Sequence, residues 1–312
     1  MYNFGIDIGG TSIKIGFFSE AGELLEQWEI LTHSANLFVE LASSIKTFLK
    51  QKGIDITSIY GYGIGVPGIV KNGIAVKCVN LGWEEVDVAS QFSKALGHKV
   101  NVFVFNDANI AAYGEKIVQK LNGSIVFITL GTGVGGGIIL NDEILEGNSG
   151  LCGEIGHMYI DSTYSFTCGC GNKGHLETIS SATGLCNLAR HYQNKLPSKL
   201  VINDKMTAKD IIDAAKREDP LAIYVVDEAC KYLARALATI AVIVNPDAFI
   251  IGGGLSNAGA FLIDKIKSEY KKICLKQAMQ IKIKLAVLKN DAGIFGAAAY
   301  IMKKKQEVKR NG

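Results

Sequence analysis

The sequence predicts an α/β protein built as two similar lobes facing a cleft. Three observations carry this. A strand, a glycine turn and a second strand occur twice, first in YNFGIDIGG followed by TSIKIGFFS, then in SIVFITLGTGVGGGIIL. Each of these units leads a stretch in which apolar spacing shifts from strand-like to helical, the pattern of alternating β and α elements. The chain has 312 residues and 48% hydrophobic content, enough for a sizeable core and too long for one compact unit.

The elements follow in order. YNFGIDIGG ends a strand at a glycine turn and TSIKIGFFS resumes it as a hairpin. A third strand is expected at Leu24–Ile30. NLFVELASSIKTFLKQKG has helical apolar spacing and stops at Gly53, a good C-cap. IYGYGIGVPGIV reads as a strand with a glycine–proline loop. VNVFVFNDANIAAYGEKIV reads as a strand, a polar break at Asn106–Asp107, and a helix. The second strand–turn–strand unit then begins. Helices dominate from about Ile179 to Val244, apart from a loop around Pro197–Lys205. DAFIIGGGLSN is a late buried strand, and AGIFGAAAYIMKKK is a C-terminal helix. The 35 glycines cluster in tight turns and only 4 prolines are present, so the glycines are turn devices and not a linker. The expected lobes are residues 1–118, joined by a C-terminal helix at about 296–312, and residues 119–295, which carry the helical insertion.

Composition excludes several classes of function. The net charge of +3 implies no polyanionic partner, and the basic run from Lys303 to Arg310 reads as the solvated end of a helix. The first apolar stretch contains Asp7 and Lys14, so no signal peptide is expected, and no window reaches the length of a membrane span. The seven cysteines are odd in number and scattered, unlike a secreted disulfide framework. A soluble, reduced, cytoplasmic protein is expected, with most cysteines acting as small buried apolar residues. Cys168 and Cys170, in the glycine-rich CGCGNKGHLE, are the exceptions.

Three glycine turns follow strands. In DIGGTSIK, Gly9 and Gly10 would let backbone N–H groups approach phosphate oxygens, with Thr11 and Lys14 as added donors. Asp7 is placed to hold Mg²⁺, which prefers few carboxylates plus waters and phosphates. LGTGVGGG supplies Gly131, Thr132 and Gly133 in the matching place, and IGGGLS supplies Gly253, Gly254 and Leu255. One such hairpin alone would be an ordinary turn. Neither the dinucleotide-binding nor the P-loop glycine pattern is present.

The motifs DIGGTSIK, GVPG, FNDANIAAYGE, LGTGVGGG, GEIGH and CGCGNKGHLE, in this order, resemble the ROK family of sugar kinases within the hexokinase/actin-like superfamily. The resemblance runs from Gly5 to about Tyr300. It implies a two-lobed actin-like (ribonuclease H-like) ATPase fold and transfer of the γ-phosphoryl of Mg·ATP to the 6-hydroxyl of a hexose, most simply glucose. By resemblance Asp107 is the general base, although an Asp at a strand-to-helix break is otherwise most often an N-cap. Glu154, His157 and Glu177 match residues that line the sugar pocket, and Gly65, Pro67 and Gly68 form a turn beside it. Asn80 and Asn106 join them, amides being suited to sugar hydroxyls.

CGCGNKGHLE offers three zinc ligands, Cys168, Cys170 and His175, and His157 is the natural fourth. The family pattern has a third cysteine where this chain has His175. A disulfide between cysteines so close would be strained. The metal would be structural, fixing Glu154 and Glu177 relative to one another. Within the family the alternatives are a kinase for N-acetylmannosamine or another hexose, and a sugar-responsive transcriptional regulator. The hairpin begins at Gly5, so no DNA-binding domain is expected before it, and no nucleic-acid or membrane partner is expected. Family members are usually dimers or tetramers, so a homo-oligomer is expected.

Overall fold

The computed structural model describes residues 1–33 and 35–311. The chain divides into two compact units. The first holds residues 1–121, 144–152 and 290–312; the second holds residues 122–143 and 153–289.

In the first unit, β1 (Tyr2–Ile8), β2 (Ser12–Phe18) and β3 (Leu24–Leu31) form an antiparallel meander. β4 (Ile59–Val66) pairs with β1 in parallel. A separate small sheet is built from β5 (Ile69–Lys71), β6 (Ile74–Cys78) and β7 (Trp83–Asp87). Then β8 (Val102–Asn106) closes the main sheet, giving the order β3-β2-β1-β4-β8. β1 and β4 are apolar almost throughout because both faces are covered, whereas the edge strand β3 exposes most of its residues.

α1 (Leu37–Lys52) buries Leu41, Ala42, Ile45 and Leu49 at the three-and-four spacing that one helix face requires. It ends as the sequence predicts: Gly53 is left-handed (φ 65°), and Ile54 N–H returns to Leu49 O at 2.9 Å. α2 (Val88–Leu96) and α3 (Asp107–Val118) complete the first part of the unit. The core is aromatic, with Phe4 stacked on Tyr62 at 5.4 Å and Trp28 on Phe48 at 4.6 Å, pairs worth about 1 kcal/mol each beyond their buried area. The small sheet and α2 are absent from the sequence expectation. Strands of three to five residues leave too short an imprint of alternation to register.

The second unit repeats the main sheet. β9 (Ile125–Leu130) and β10 (Val134–Leu140) form its hairpin, and β11 (Glu143–Ile144) extends it. β12 (Ala248–Gly252) and β13 (Lys282–Leu285) add in parallel, giving the order β11-β10-β9-β12-β13. Its helices are α4 (Glu177–Ser180), α5 (Ala182–Tyr192), α6 (Ala208–Lys216), α7 (Pro220–Val244) and α8 (Ala260–Ile273). α7 starts cleanly because Asp219 accepts from Ala222 N–H and Pro220 opens the first turn. Among the described residues, no helix is long and apolar enough to cross a membrane.

The C-terminal helix α9 (Ala292–Asn311) returns to the first unit and packs on α3, β1 and β4. Glycine permits the close approach: a Cβ at Gly296 would stand 1.8 Å from Ile110 O.

Candidate active site

In the first unit the C-terminal ends of three neighbouring strands hold the predicted residues side by side. Asp7 of β1 pairs in register with Gly65 of β4, and Gly65 pairs with Phe105, one residue before Asn106. Ligands of α/β sheets are bound at such strand ends. A Cβ on Gly65 would stand 3.6 Å from Asp7 Oδ1 and 3.7 Å from the Cα of Asp107, so this glycine separates the two acids by the width of one strand. Asn106 takes the N-cap of α3, accepting from Asn109 N–H at 2.9 Å. Asp107 is thereby relieved of the capping role and occupies the first helical position, where its Oδ1 accepts from Ala108 N–H. Asn106 Nδ2 also donates to Gly68 O at 2.9 Å, which ties the Gly65–Gly68 turn, with Pro67 inside it, to the start of α3.

The electrostatics of this end are unusual. Burial, reinforced by the negative charge of Asp107 and opposed by Lys14, pushes the Asp7 carboxyl up to about 7. Burial and Asp107 likewise push the Cys78 thiol up to about 11. Two acids crowded together, one of them enclosed, form a site whose repulsion a divalent cation would relieve. Asp7 therefore fits the Mg²⁺ role that the sequence suggests.

The first glycine turn closes with Gly9 N–H on Ser12 O at 2.9 Å, and Thr32 secures it through Gly9 O at 2.8 Å. Gly10 and Thr11 are exposed at its tip, and the Cβ position of Gly10 lies 3.6 Å from the Cβ of Asn80. Lys14 is engaged: its Nζ donates to Asp291 Oδ1 at 2.8 Å and Asn290 O at 3.0 Å. The sequence gives no signal for these partners, which lie more than 270 positions away.

The second unit carries the other predicted groups. Gly131 N–H bonds Gly133 O at 3.0 Å across the turn that holds Thr132, and Gly131 O accepts from Ala182 N–H at the start of α5. Gly253, with φ 78°, lies flat against Leu130, so the turn carrying Gly253, Gly254 and Leu255 abuts the end of β9. Glu177 borders the Gly131–Gly133 turn, since a Cβ on Gly133 would meet its Oε2 at 2.5 Å. Its other oxygen, Oε1, accepts from Cys168 Sγ at 2.8 Å. Glu154 stands 3.8 Å from His157 Nε2.

His157, Cys168, Cys170 and His175 come together, with all four donor atoms within 4.8 Å of one another. The two Nδ1 atoms are 3.3 Å apart, Cys168 Sγ is 3.5 Å from His157 Nδ1, and Cys170 Sγ is 3.3 Å from His175 Nδ1. Bond lengths of about 2.0 Å to nitrogen and 2.3 Å to sulfur around a tetrahedral zinc give edges of roughly 3.3–3.8 Å. The donor set and its spacing therefore fit zinc, with His175 in the place of a third cysteine. Ligation through Nδ1 would leave His157 Nε2 facing Glu154. Burial foremost, with the hydrogen bond to Glu177, pushes the Cys168 thiol up to about 12. A bound metal would supply the positive charge that lets it ionise. Backbone paths fix the loop: Cys168 N–H bonds Asn172 O at 2.8 Å, and Asp161, held by Thr163 N–H, Tyr164 N–H and the Tyr232 hydroxyl, fastens the intervening segment to α7.

Comparison with known proteins agrees with these motifs. The sequence profile of the ROK family matches residues 3–304. The chain is 35% identical to a glucokinase of Halalkalibacterium halodurans, covering 98% of this chain and 96% of the relative. It superposes on the crystal structure of a ROK family glucokinase from Streptomyces griseus in complex with glucose and AMPPNP, with a TM-score of 0.76, 29% identity, and 96% and 99% coverage. It also superposes on a ROK family transcriptional regulator homologous to the E. coli MLC protein, with a TM-score of 0.84 and 27% identity, covering 97% of this chain and 78% of the regulator. This chain belongs to the ROK family, with the α/β actin-like ATPase fold of its sugar kinases.

Proposed function

We propose that the protein is an ATP-dependent hexose kinase that phosphorylates the 6-hydroxyl, with glucose as its foremost substrate. The observation that carries this reading is the placement of Asp107 and Asp7 at the C-terminal ends of two parallel strands, β8 and β1, with only β4 and its Gly65 between them. Likeness to glucokinases over nearly the whole chain supports it.

Phosphoryl transfer asks little covalent chemistry of a protein; it needs positioning, charge neutralisation and a proton acceptor. Asp107 takes the proton of the sugar 6-hydroxyl. The freed oxygen lone pair forms the new bond to the γ-phosphorus, and the bond from that phosphorus to the β,γ-bridging oxygen breaks, releasing ADP. Asp7 would hold Mg²⁺, directly or through water, and the cation would neutralise phosphate charge. In the turns containing Gly9, Gly10 and Thr11, Gly131 to Gly133, and Gly253 to Leu255, backbone N–H groups other than those of Gly9 and Gly131, which close their own turns, bind phosphate oxygens. Asn80, Asn106, Glu154, His157 and Glu177 bind sugar hydroxyls, beside the Gly65–Pro67–Gly68 turn. His157, Cys168, Cys170 and His175 would hold a structural zinc, which would fasten the loop that ends in Glu177 to the segment that carries Glu154.

A second reading, sugar binding without phosphoryl transfer, has support in the likeness to the regulator. An ADP-release assay across glucose, mannose, N-acetylmannosamine, N-acetylglucosamine, fructose and allose separates the two. Sugar-dependent ADP release, fastest with glucose, is expected. Release no faster with any sugar than without one rejects the kinase.

A further inference from the structure

Asp7 and Lys14 are cross-strand partners in the first hairpin, so their side chains project from the same face of the sheet. α9 packs on that face. A Cβ at Gly5 would stand 2.0 Å from Ile294 O, and one at Gly63 would stand 2.8 Å from Ala297 O. Two residues further along β1, the same helix reaches Asp7. A Cβ added to Gly293 would meet Asp7 Oδ2 at 2.7 Å, Cγ at 2.8 Å and Cβ at 3.1 Å. Ordinary van der Waals contact begins near 3.4 Å, so the carboxylate occupies the space that any other residue at 293 would need. Immediately before the helix, Asn290 O and Asp291 Oδ1 receive two N–H groups of Lys14, at 3.0 and 2.8 Å, and Glu29 Oε1 lies 3.5 Å from the same ammonium. Three acceptors match the three donors of a lysine. Lys14 is thus a rivet from the hairpin to the start of α9 rather than an uncommitted phosphate ligand.

We infer that residues 290–293 form a positioning element for phosphoryl transfer, in which Gly293 sets where the Asp7 carboxylate stands and Asp291 fixes Lys14 beside it. The inference rests on the proposed function, because it assigns these residues to the placing of the Mg²⁺-binding acid. Neither Asp291 nor Gly293 is among the residues proposed to bind the sugar, and the groups they contact are Lys14 and Asp7, so their effect should fall on the metal and the transferred phosphoryl group. This segment comes from the end of the chain, so the hairpin at Asp7 completes its geometry only when the C-terminal helix has docked.

Gly293→Ala is the sharpest test, because alanine favours a helix and the change adds a single methyl group. Displacing a metal-binding carboxylate by about 1 Å is expected to lower kcat at least tenfold and to raise the half-saturating Mg²⁺ concentration at least tenfold. Mn²⁺ binding in the presence of ADP, followed by electron paramagnetic resonance, should weaken by a similar factor. Glucose binding measured by calorimetry should stay within about twofold, and Tm should not fall. Asp291→Asn, which keeps shape and loses charge, should raise the half-saturating Mg·ATP concentration by about threefold or more. A purely structural role for the segment would lower Tm and leave Mg²⁺ and Mn²⁺ saturation where they are, which overturns the inference. Wild-type kcat and metal saturation in both variants also overturns it while the kinase reading stands. A wild-type chain that phosphorylates no hexose overturns both.

Discussion

The two units are the same sheet put to different chemical use. Each has an antiparallel hairpin at one side, with its first strand joined in parallel to two later strands. In register, Ile8 and Ile13 close the first hairpin as Leu130 and Val134 close the second. Asp7 in the first unit therefore corresponds to Thr129 in the second. One unit places an acid at the strand end and a second acid, Asp107, across one intervening strand; the other places a hydroxyl there and gathers its carboxylates around a cluster of thiols and imidazoles. A shared backbone fixes where turns and strand ends fall, but the residues grafted on it decide whether a unit handles proton and metal or recognises a sugar. On this account, damage to Asp7 or Asp107 in the first unit lowers turnover, and damage to Glu177 or to the cluster of His157, Cys168, Cys170 and His175 in the second lowers sugar affinity.

Three perturbations break or sharpen that division. Glu177→Gln should have the largest effect of the three. It removes a charged hydrogen-bond acceptor, and the KM for the sugar should rise by about 10- to 100-fold, with the KM for Mg·ATP little changed. Steady-state kinetics with each substrate varied in turn measures the split. Equal rises in both values would dissolve the distinction between units at this residue, which the contact between Glu177 and the Gly133 turn makes a real alternative outcome. Cys170→Ser acts on sugar only through the metal, since Cys170 is exposed and its sulfur faces His175. Zinc measured by atomic absorption should fall from about one per chain to well below that, and sugar affinity should fall about tenfold. Unchanged zinc content would remove Cys170 from the ligand set.

The smallest effect is one of stability and belongs to the first unit. The Asp7 carboxyl is raised from 3.8 to about 7, chiefly by burial. The native state therefore retains a proton that the unfolded chain releases above about pH 4. Stability from that proton is fully present below pH 4, declines as pH rises, and is gone above about pH 7. Asp7→Asn, with no charge to bury, should match the wild type near pH 4 and exceed it at pH 8 by about 1–3 kcal/mol in the absence of divalent cations. Denaturant midpoints at the two pH values measure the difference. Equal stability at pH 8 would mean that solvent or a counter-charge already satisfies Asp7.

What was legible in the sequence was local. The Gly53 cap needs a left-handed backbone that few residues tolerate, the glycine turns follow apolar strands directly, and the Asn106–Asp107 break carries side chains that cap helices, so their positions could be read directly. The cluster of His157, Cys168, Cys170 and His175 was legible because two closely spaced thiols and an imidazole on a glycine-rich loop, with a further imidazole upstream, form a donor set that suits a metal. What was not legible was set by distance along the chain. That Lys14 ends on Asp291, that Gly293 presses on Asp7, and that Glu177 reaches Gly133 are products of tertiary packing, and no periodicity encodes them. Which residue caps α3 was not legible either: Asn and Asp compete for the same role at a strand-to-helix junction, and only the geometry shows that Asn106 takes it. The small sheet over residues 69–87 escaped because its strands are too short to leave an alternation.

The central claim, that the first unit supplies the base for sugar phosphorylation, is tested most directly by measuring turnover and binding together in Asp107→Ala. The account predicts a loss of sugar-dependent turnover of about a thousandfold, with glucose and Mg·ATP binding, read by calorimetry, within a few-fold of wild type. Turnover near the wild-type rate, at any pH between 6 and 9, would contradict it.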